Sequence, residues 1–115
     1  MTPEQALNVQ TLFSIKGKTA LVTGGSRGIG LMIARAYLEA GAKVYISSRK
    51  AEVCDDVAKR LSDVGECISI PADLANTAGC RHLADELTKR ESSLDILVNN
   101  AGALWGAKLD EFPEA

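Results

Sequence analysis

The chain has 115 residues, of which 46% are hydrophobic and 24% charged, with 13 basic and 15 acidic side chains. This composition is typical of an ordinary globular domain and excludes a disordered or fibrous chain. The charges are nearly balanced and form no block of one sign, so we expect neither a nucleic-acid partner nor a membrane partner.

The cysteines and the N-terminal segment bear on the cellular compartment. Cys54, Cys67 and Cys80 form no CxxC pair and are odd in number, which disfavours a secreted disulfide scaffold. The first residues contain Glu4 before any Lys or Arg and lack a continuous apolar core, unlike secretory and mitochondrial targeting signals. We therefore expect a cytoplasmic protein.

Four short apolar runs predict strands at Lys18–Thr23, Lys43–Ser47, Cys67–Pro71 and Leu94–Asn99. Helical patterns separate them, and strands that alternate with helices pair in parallel through right-handed crossovers. We therefore predict an α/β fold, the first half of a Rossmann-type doubly wound parallel sheet with strand order 3-2-1-4. Residues 1–16 would form an N-terminal extension, and residues 17–115 the N-terminal part of a dinucleotide-binding domain.

Three amphipathic helices are predicted between these strands. The first begins near Ile29 and ends at Gly41, the second covers residues 51–62, and the third is capped by Asn76 and ends near Glu91. The apolar spacing predicts the side chains that face inward: Ile29, Ile33, Ala36, Tyr37 and Ala40 on the first helix, Val53, Val57, Ala58 and Leu61 on the second, and Cys80, Leu83, Ala84 and Leu87 on the third.

A glycine-rich loop, TGGSRGIG, follows the first predicted strand directly. Its glycines Gly24, Gly28 and Gly30 have the spacing GxxxGxG, rather than the commoner GxGxxG. Such glycines let the chain turn sharply and let a pyrophosphate approach the helix N-terminus, where backbone N–H groups and the helix dipole favour an anion. A plain tight turn is the alternative, but the flanking strand and helix favour nucleotide binding.

The residues after the second predicted strand indicate which dinucleotide is bound. NAD-binding folds carry a carboxylate there that accepts a hydrogen bond from the ribose 2′-hydroxyl, whereas this chain has Ser48, Arg49 and Lys50. A 2′-phosphate near Arg49 would gain a charge-assisted contact, Ser48 could donate a hydrogen bond, and Arg27 lies in the neighbouring loop. We therefore predict NADP(H), the alternative being that these cations are solvated surface groups.

Three motifs in this order resemble the N-terminal half of the short-chain dehydrogenases/reductases. They are TGGSRGIG after the first strand, ADL (residues 72–74) after the third and NNAG (residues 99–102) after the fourth. The resemblance extends from about Phe13 to residue 115 and is greatest to the NADPH-dependent 3-oxoacyl reductases. It implies hydride transfer between NADPH and a small-molecule carbonyl such as a 3-oxoacyl thioester, and a homo-oligomer only for a full-length form.

The resemblance also implies roles for individual residues. Arg49 would meet the 2′-phosphate, Asp73 would accept a hydrogen bond from the adenine amino group, and Leu74 would lie beside the ring. The residues of NNAG would follow the ribose. The complete set of predicted cofactor-binding residues is Gly24, Ser26, Arg27, Gly28, Ile29, Gly30, Ser48, Arg49, Asp73, Leu74, Asn100, Ala101 and Gly102.

The catalytic residues of this family, a serine, an asparagine and the pair in YxxxK, would lie beyond residue 115. Tyr37 and Tyr45 are the only tyrosines, and neither is followed by lysine four positions later. We therefore predict no catalytic residue in the chain and expect it to be inactive alone. The alternative is a non-catalytic NADP(H)-binding or regulatory module. The only histidine, His82, is predicted to be a solvated surface residue, and we predict no metal site.

Overall fold

A computed structural model of the chain describes residues 8–101. Within this range four strands form one sheet in the order β3-β2-β1-β4, and every pair is parallel. The elements are α1 (Val9–Leu12), β1 (Thr19–Thr23), α2 (Gly28–Glu39), β2 (Lys43–Ser47), α3 (Ala51–Leu61), β3 (Cys67–Ser69), α4 (Thr77–Arg90) and β4 (Ile96–Val98). The predicted α/β class and strand order are confirmed.

The strand register brings the carboxyl ends of the strands to one edge of the sheet. Leu21 in β1 pairs with Tyr45 in β2 on one side and with Leu97 in β4 on the other. Tyr45 pairs in turn with Ile68 in β3. Because open parallel sheets bind ligands beyond the carboxyl ends of their strands, this edge is where a site is expected.

Apolar side chains cover both faces of the sheet. On one face Val22, Val44 and Ile46 pack with residues of α2 and α3 in the larger core. On the other face Leu21 and Tyr45 pack with Leu83 of α4. Burial on both faces explains why β1 and β2 are continuous apolar runs rather than alternating ones.

The inward face of α2 differs from the prediction. The buried residues are Gly30, Ala34 and Leu38, whereas the predicted Ile29 is 68% exposed. Ala36 and Ala40 are also exposed, and the remaining two predicted residues, Ile33 and Tyr37, are half-buried against the core. The small residues Gly30 and Ala34 let the helix approach the sheet closely, which a pattern of large apolar residues does not reveal.

The inward faces of α3 and α4 also differ in part. Val53 is 43% exposed, and the buried residue in its place is Cys54, whose thiol contacts the Ile46 carbonyl oxygen at 3.6 Å. On α4 only Leu83 is buried, Leu87 is half-buried, and the predicted Cys80 and Ala84 are exposed. Leu83 and Leu87 are the α4 side chains that pack in the cluster with Leu21 and Tyr45 of the sheet.

The ends of the elements differ from the prediction by a few residues. β3 ends at Ser69, before Pro71, which has no N–H to donate to a neighbouring strand. β4 covers only Ile96–Val98. The predicted cap of α4 is confirmed, because the Asn76 side chain accepts a hydrogen bond from the Gly79 N–H at 2.7 Å. None of the helices within residues 8–101 combines the length and hydropathy that a membrane span requires.

Candidate functional site

The glycine loop connects β1 to α2 and depends on three of its glycines for its shape. Gly24 and Gly28 have φ angles of +64° and +58°, in the left-handed region that strains other residues. A Cβ on Gly30 would overlap the Gly24 carbonyl oxygen and lie 2.6 Å from Asn100 Nδ2. The first turn of α2 therefore packs directly on the loop.

The first turn of α2 is open to an incoming anion. Arg27 is the N-cap residue, but its side chain makes no capping hydrogen bond. The first N–H groups of an α-helix have no partner within the helix, and the helix dipole makes this end attractive to anions. A Cβ on Gly28 would have no neighbour within 4 Å, so the space beside this residue is open among residues 8–101.

Thr23, the last residue of β1, connects the loop to the end of β4. Its hydroxyl donates to the Val98 carbonyl oxygen at 3.3 Å and accepts the N–H groups of Asn100 and Ala101 at 2.9 and 3.0 Å. Asn100 Nδ2 in turn donates to the Gly24 carbonyl oxygen at 3.4 Å. A hydroxyl group can donate one hydrogen bond and accept two, so the Thr23 hydroxyl makes all the hydrogen bonds it can. These bonds hold Asn100 and Ala101 beside the glycine loop.

The end of β2 lies between the glycine loop and the end of β3. The Ser47 carbonyl oxygen accepts the Gly24 N–H at 2.8 Å, and the Ser48 carbonyl oxygen accepts the Ala72 N–H at 3.0 Å. Both serine Oγ atoms are buried and have no hydrogen-bond partner within residues 8–101. A buried hydroxyl without a partner costs about 1–3 kcal/mol. Ser47 is completely buried, whereas Ser48 is half-buried, so Ser48 is the residue whose hydroxyl a ligand could supply with a hydrogen-bond partner.

The loop after β3 is held in place by local hydrogen bonds. Asp73 is half-buried, and its Oδ1 accepts the Ala75 N–H at 3.0 Å, which forms an Asx turn. Leu74 beside it is half-buried. This loop continues into the cap of α4, so Asp73 lies between the end of β3 and the first turn of that helix.

The structure brings together part of the set of residues predicted from the sequence. Gly24, Gly30 and Asn100 are in direct contact, and Ser48 is bonded to the residue before Asp73. The Arg27 and Arg49 side chains are exposed and make no hydrogen bond or ion pair within the described part of the chain. Their convergence on one phosphate therefore stays a prediction. Gly102 lies outside the described residues.

Several residues of this region were not predicted from the sequence. Thr23 is one, because its partners lie far along the chain. Gly25 is another: a Cβ there would lie 2.7 Å from Ile46 Cγ2. The third is Gly79, in the first turn of α4. Its signal was present in the sequence, since glycine is unfavourable inside a helix and its presence requires a reason.

A cluster of charged groups lies at the opposite edge of the sheet, where β2 begins. The Glu91 carboxylate contacts Lys43 Nζ at 2.6 Å and accepts the Tyr45 hydroxyl at 2.6 Å. The contact with Lys43, followed by that with Tyr45, lowers the pKa of Glu91, and the Glu91 carboxylate raises the pKa of Lys43. Burial and the bond to Glu91 raise the pKa of Tyr45. This cluster joins α4 to β2, far from the glycine loop.

The other titratable groups of the described residues form no further site. Burial raises the pKa of the Cys67 thiol to about 11, which disfavours the reactive thiolate. His82 is exposed, as predicted. No group of three or more His, Cys, Asp or Glu residues within residues 8–101 could hold a metal ion. The absence of a metal site from the whole chain stays a prediction.

Comparisons with a family model and with known sequences give matches that agree with one another. A family model described as short chain dehydrogenase matches residues 18–115. The chain is 59% identical over 101 residues to the rhamnolipids biosynthesis 3-oxoacyl-[acyl-carrier-protein] reductase of Pseudomonas aeruginosa, which covers 88% of this chain and 40% of the relative. It is 38% identical over 112 residues to D-threitol dehydrogenase of Mycolicibacterium smegmatis, covering 96% and 43%. The chain thus spans about two-fifths of these relatives.

Solved structures show the same relationship. The Pseudomonas aeruginosa RhlG/NADP active-site complex matches with a TM-score of 0.77 and 60% identity, over 79% of this chain and 37% of that one. A 3-oxoacyl (acyl-carrier-protein) reductase from Agrobacterium tumefaciens C58 with NADP bound matches with a TM-score of 0.79 and 33% identity, over 97% and 43%. Sequence and fold therefore agree on one family.

Proposed function

The chain belongs to the short-chain dehydrogenase/reductase family, and we propose that it forms the NADP(H)-binding portion of an oxidoreductase that transfers a hydride between NADPH and a carbonyl. The proposed carbonyl is a 3-oxoacyl thioester, because the relative with 59% identity is named as a 3-oxoacyl-[acyl-carrier-protein] reductase. The chain spans about two-fifths of that relative. We therefore propose the reaction for the whole gene product and not for these 115 residues by themselves.

The observation that supports NADP(H) most strongly is the buried, unpaired Ser48 Oγ at the end of β2. The exposed Arg49 follows it, and no carboxylate occupies this position to accept a ribose 2′-hydroxyl. A 2′-phosphate would give Ser48 a hydrogen-bond acceptor and Arg49 a charged partner. The residues present therefore fit NADP(H) better than NAD(H).

The remaining residues fit the other parts of the cofactor. The N–H groups at the first turn of α2 would bind the pyrophosphate, with Ser26 and Ile29 in the same loop. Asp73 has one carboxylate oxygen in the Asx turn, which leaves Oδ2 to accept from the adenine amino group beside Leu74. Asn100 and Ala101, which Thr23 holds against the loop, would follow the ribose together with Gly102.

Bound NADPH would supply the hydride, and the described residues would bind and orient the cofactor. We propose no catalytic acid among them. The Tyr45 hydroxyl is already bonded to Glu91 at the far edge of the sheet, and Tyr37 packs against the core. Neither can reach a carbonyl beside the glycine loop.

We also propose that the dinucleotide-binding unit begins at residue 17. The Gly17 N–H donates to the Gly41 carbonyl oxygen at 3.0 Å, at the amino edge of the sheet, and the family match begins one residue later. A cytoplasmic location and a homo-oligomer of the full-length form stay predictions.

The test is the affinity of the protein, as encoded in its gene, for both reduced cofactors. Charged hydrogen bonds of this kind are worth about 1.5–3 kcal/mol, so NADPH is expected to bind at least about tenfold more tightly than NADH. Equal affinities would contradict the proposed cofactor. Oxidation of NADPH with acetoacetyl-CoA is expected for the enzyme, whereas tight binding without oxidation of NADPH by any carbonyl compound would support the non-catalytic module instead.

A further inference from the structure

The third residue of α4, Gly79, packs against the backbone of Asp73 without room for a side chain. A Cβ on Gly79 would overlap the Asp73 carbonyl oxygen, and it would lie 2.6 Å from the carbonyl carbon and 3.2 Å from the backbone nitrogen of the same residue. All three are backbone atoms, so they cannot yield by a change of rotamer. Any larger residue must displace the loop or the helix.

Hydrogen bonds fix both partners of this contact. The Gly79 N–H donates to Asn76 Oδ1 at 2.7 Å, and Asp73 Oδ1 accepts the Ala75 N–H at 3.0 Å. The preceding residue, Ala72, donates its N–H to the Ser48 carbonyl oxygen at 3.0 Å. The backbone of Asp73 is therefore held from the sheet on one side and from α4 on the other.

The choice of glycine works against helix formation at this position. Glycine is among the least favourable residues inside a helix, and alanine is the most favourable. Helical propensity alone would thus select alanine at residue 79. The contact with Asp73 supplies a reason for glycine that has nothing to do with the stability of the helix itself.

We propose that Gly79 is a positioning residue for adenine recognition. By lacking a side chain, it lets the first turn of α4 pack on the Asp73 backbone and hold the Asp73 carboxylate where the adenine amino group binds. This inference rests on the proposed function, because it names the part of the chain that sets the specificity of the proposed NADP(H) site for its base.

The test compares NADPH with deamino-NADPH, the hypoxanthine analogue, which carries a carbonyl in place of the adenine amino group. In the protein as encoded in its gene, wild type is expected to bind NADPH about tenfold more tightly than the analogue, the value of one hydrogen bond to a charged group. Gly79→Ala is expected to reduce this ratio to about one. Asp73→Ala, which removes the carboxylate, is expected to reduce it equally.

Gly65→Ala is the matched control. It makes the same chemical change at a glycine whose added Cβ would have Leu38 as its nearest neighbour, the flexible side chain at 3.3 Å and the backbone oxygen at 3.4 Å, with no atom closer. This variant is expected to keep the tenfold ratio. A general loss of structural integrity would lower both affinities together and leave the ratio unchanged, so the ratio separates positioning from simple destabilisation.

The outcomes distinguish the inference from the proposed function. A wild-type protein that binds neither compound contradicts both. A wild type that binds both compounds equally, or a Gly79→Ala variant that keeps the wild-type ratio, overturns the inference alone.

Should Gly79→Ala fail to fold, amide hydrogen exchange of the wild type replaces it. The Ala75 and Gly79 amides are expected to gain protection with NADPH and less with deamino-NADPH, and equal protection by both overturns the inference.

Discussion

The Thr23 side-chain oxygen accepts the Asn100 backbone N–H at 2.9 Å, although 77 positions separate the two residues in the chain. The paired register of β1 and β4 ends at Val22 and Val98, so this bond lies just beyond the sheet ladder. One hydroxyl group thereby continues the contact between two neighbouring strands into the loops that carry the candidate site.

Replacing Thr23 with valine tests this role, because valine keeps the shape and removes the hydroxyl. Thr23→Val would leave the N–H groups of Asn100 and Ala101 without their acceptor, and we expect it to lower the free energy of unfolding by about 1–3 kcal/mol. Thr23→Ser keeps the hydroxyl and should lower the free energy of unfolding by a smaller amount. Urea denaturation measures both variants, and equal losses for valine and serine would contradict the role of the hydrogen bonds.

Arg49 is expected to determine the preference for NADPH. Arg49→Ala would remove a charged partner of the 2′-phosphate and weaken NADPH binding by about 10- to 100-fold, with little change for NADH. Calorimetric titration with both cofactors measures the effect. The control is Arg35→Ala, since Arg35 is exposed and pairs with Glu39 on the same helix. An equal loss of affinity for NADPH and NADH in the Arg49 variant would contradict the prediction that Arg49 contacts the 2′-phosphate, because NADH has no such group.

Replacing Ser48 with alanine shows whether its side chain serves cofactor binding or the stability of the fold. Its Oγ is buried and unpaired within the described residues, so removing it costs the free protein no hydrogen bond. We expect Ser48→Ala to leave the free energy of unfolding unchanged or raise it slightly, and to weaken NADPH binding about tenfold. Ser47→Ala, which removes the neighbouring unpaired hydroxyl, is the comparison. A destabilised Ser48→Ala protein with unchanged NADPH affinity would refute the assignment.

The cluster of Lys43, Tyr45 and Glu91 predicts a dependence of stability on pH. The pKa of Glu91 lies below its ordinary value of 4.5 because its carboxylate bonds first to Lys43 and then to Tyr45. A carboxyl group with a lowered pKa in the folded state stabilises the protein above the pKa of the unfolded chain, and this contribution is lost as the pH falls through the folded value. The raised pKa of Lys43 has the opposite sense: its contribution persists up to pH 10.5 and is lost only above it.

Glu91→Gln tests this dependence. The variant is expected to be less stable than wild type at pH 7. The difference should shrink as the pH falls below 4.5 and through the lower pKa of the folded state, where the wild-type carboxylate becomes protonated. Urea denaturation between pH 3 and pH 7 measures it. Glu66→Gln is the control, because Glu66 is more exposed and pairs with Lys43 at the longer distance of 3.3 Å. A difference that stays constant with pH would show that Glu91 acts by packing alone.

The strand order and the position of the glycine loop could be predicted because both follow from local sequence patterns. Period-2 or continuous apolar runs predict strands, 3.6-residue spacing predicts helices, and their alternation leaves few topologies. The inward face of α2 could not be predicted in this way. Helix–sheet packing selected the small residues Gly30 and Ala34 over the larger Ile29, and volume matching across an interface is not visible in a hydrophobicity pattern.

By itself the sequence determined the α/β class, the order of the motifs and the identity of the residues that follow each strand. Only the tertiary structure decided which of them touch. The bonds of Thr23 to the end of β4, the unpaired Oγ of Ser48 and the packing of Gly79 on Asp73 all depend on segments brought together by the sheet. The physical reason is that hydrogen bonding and steric exclusion act over a few ångströms of space, whatever the separation along the chain.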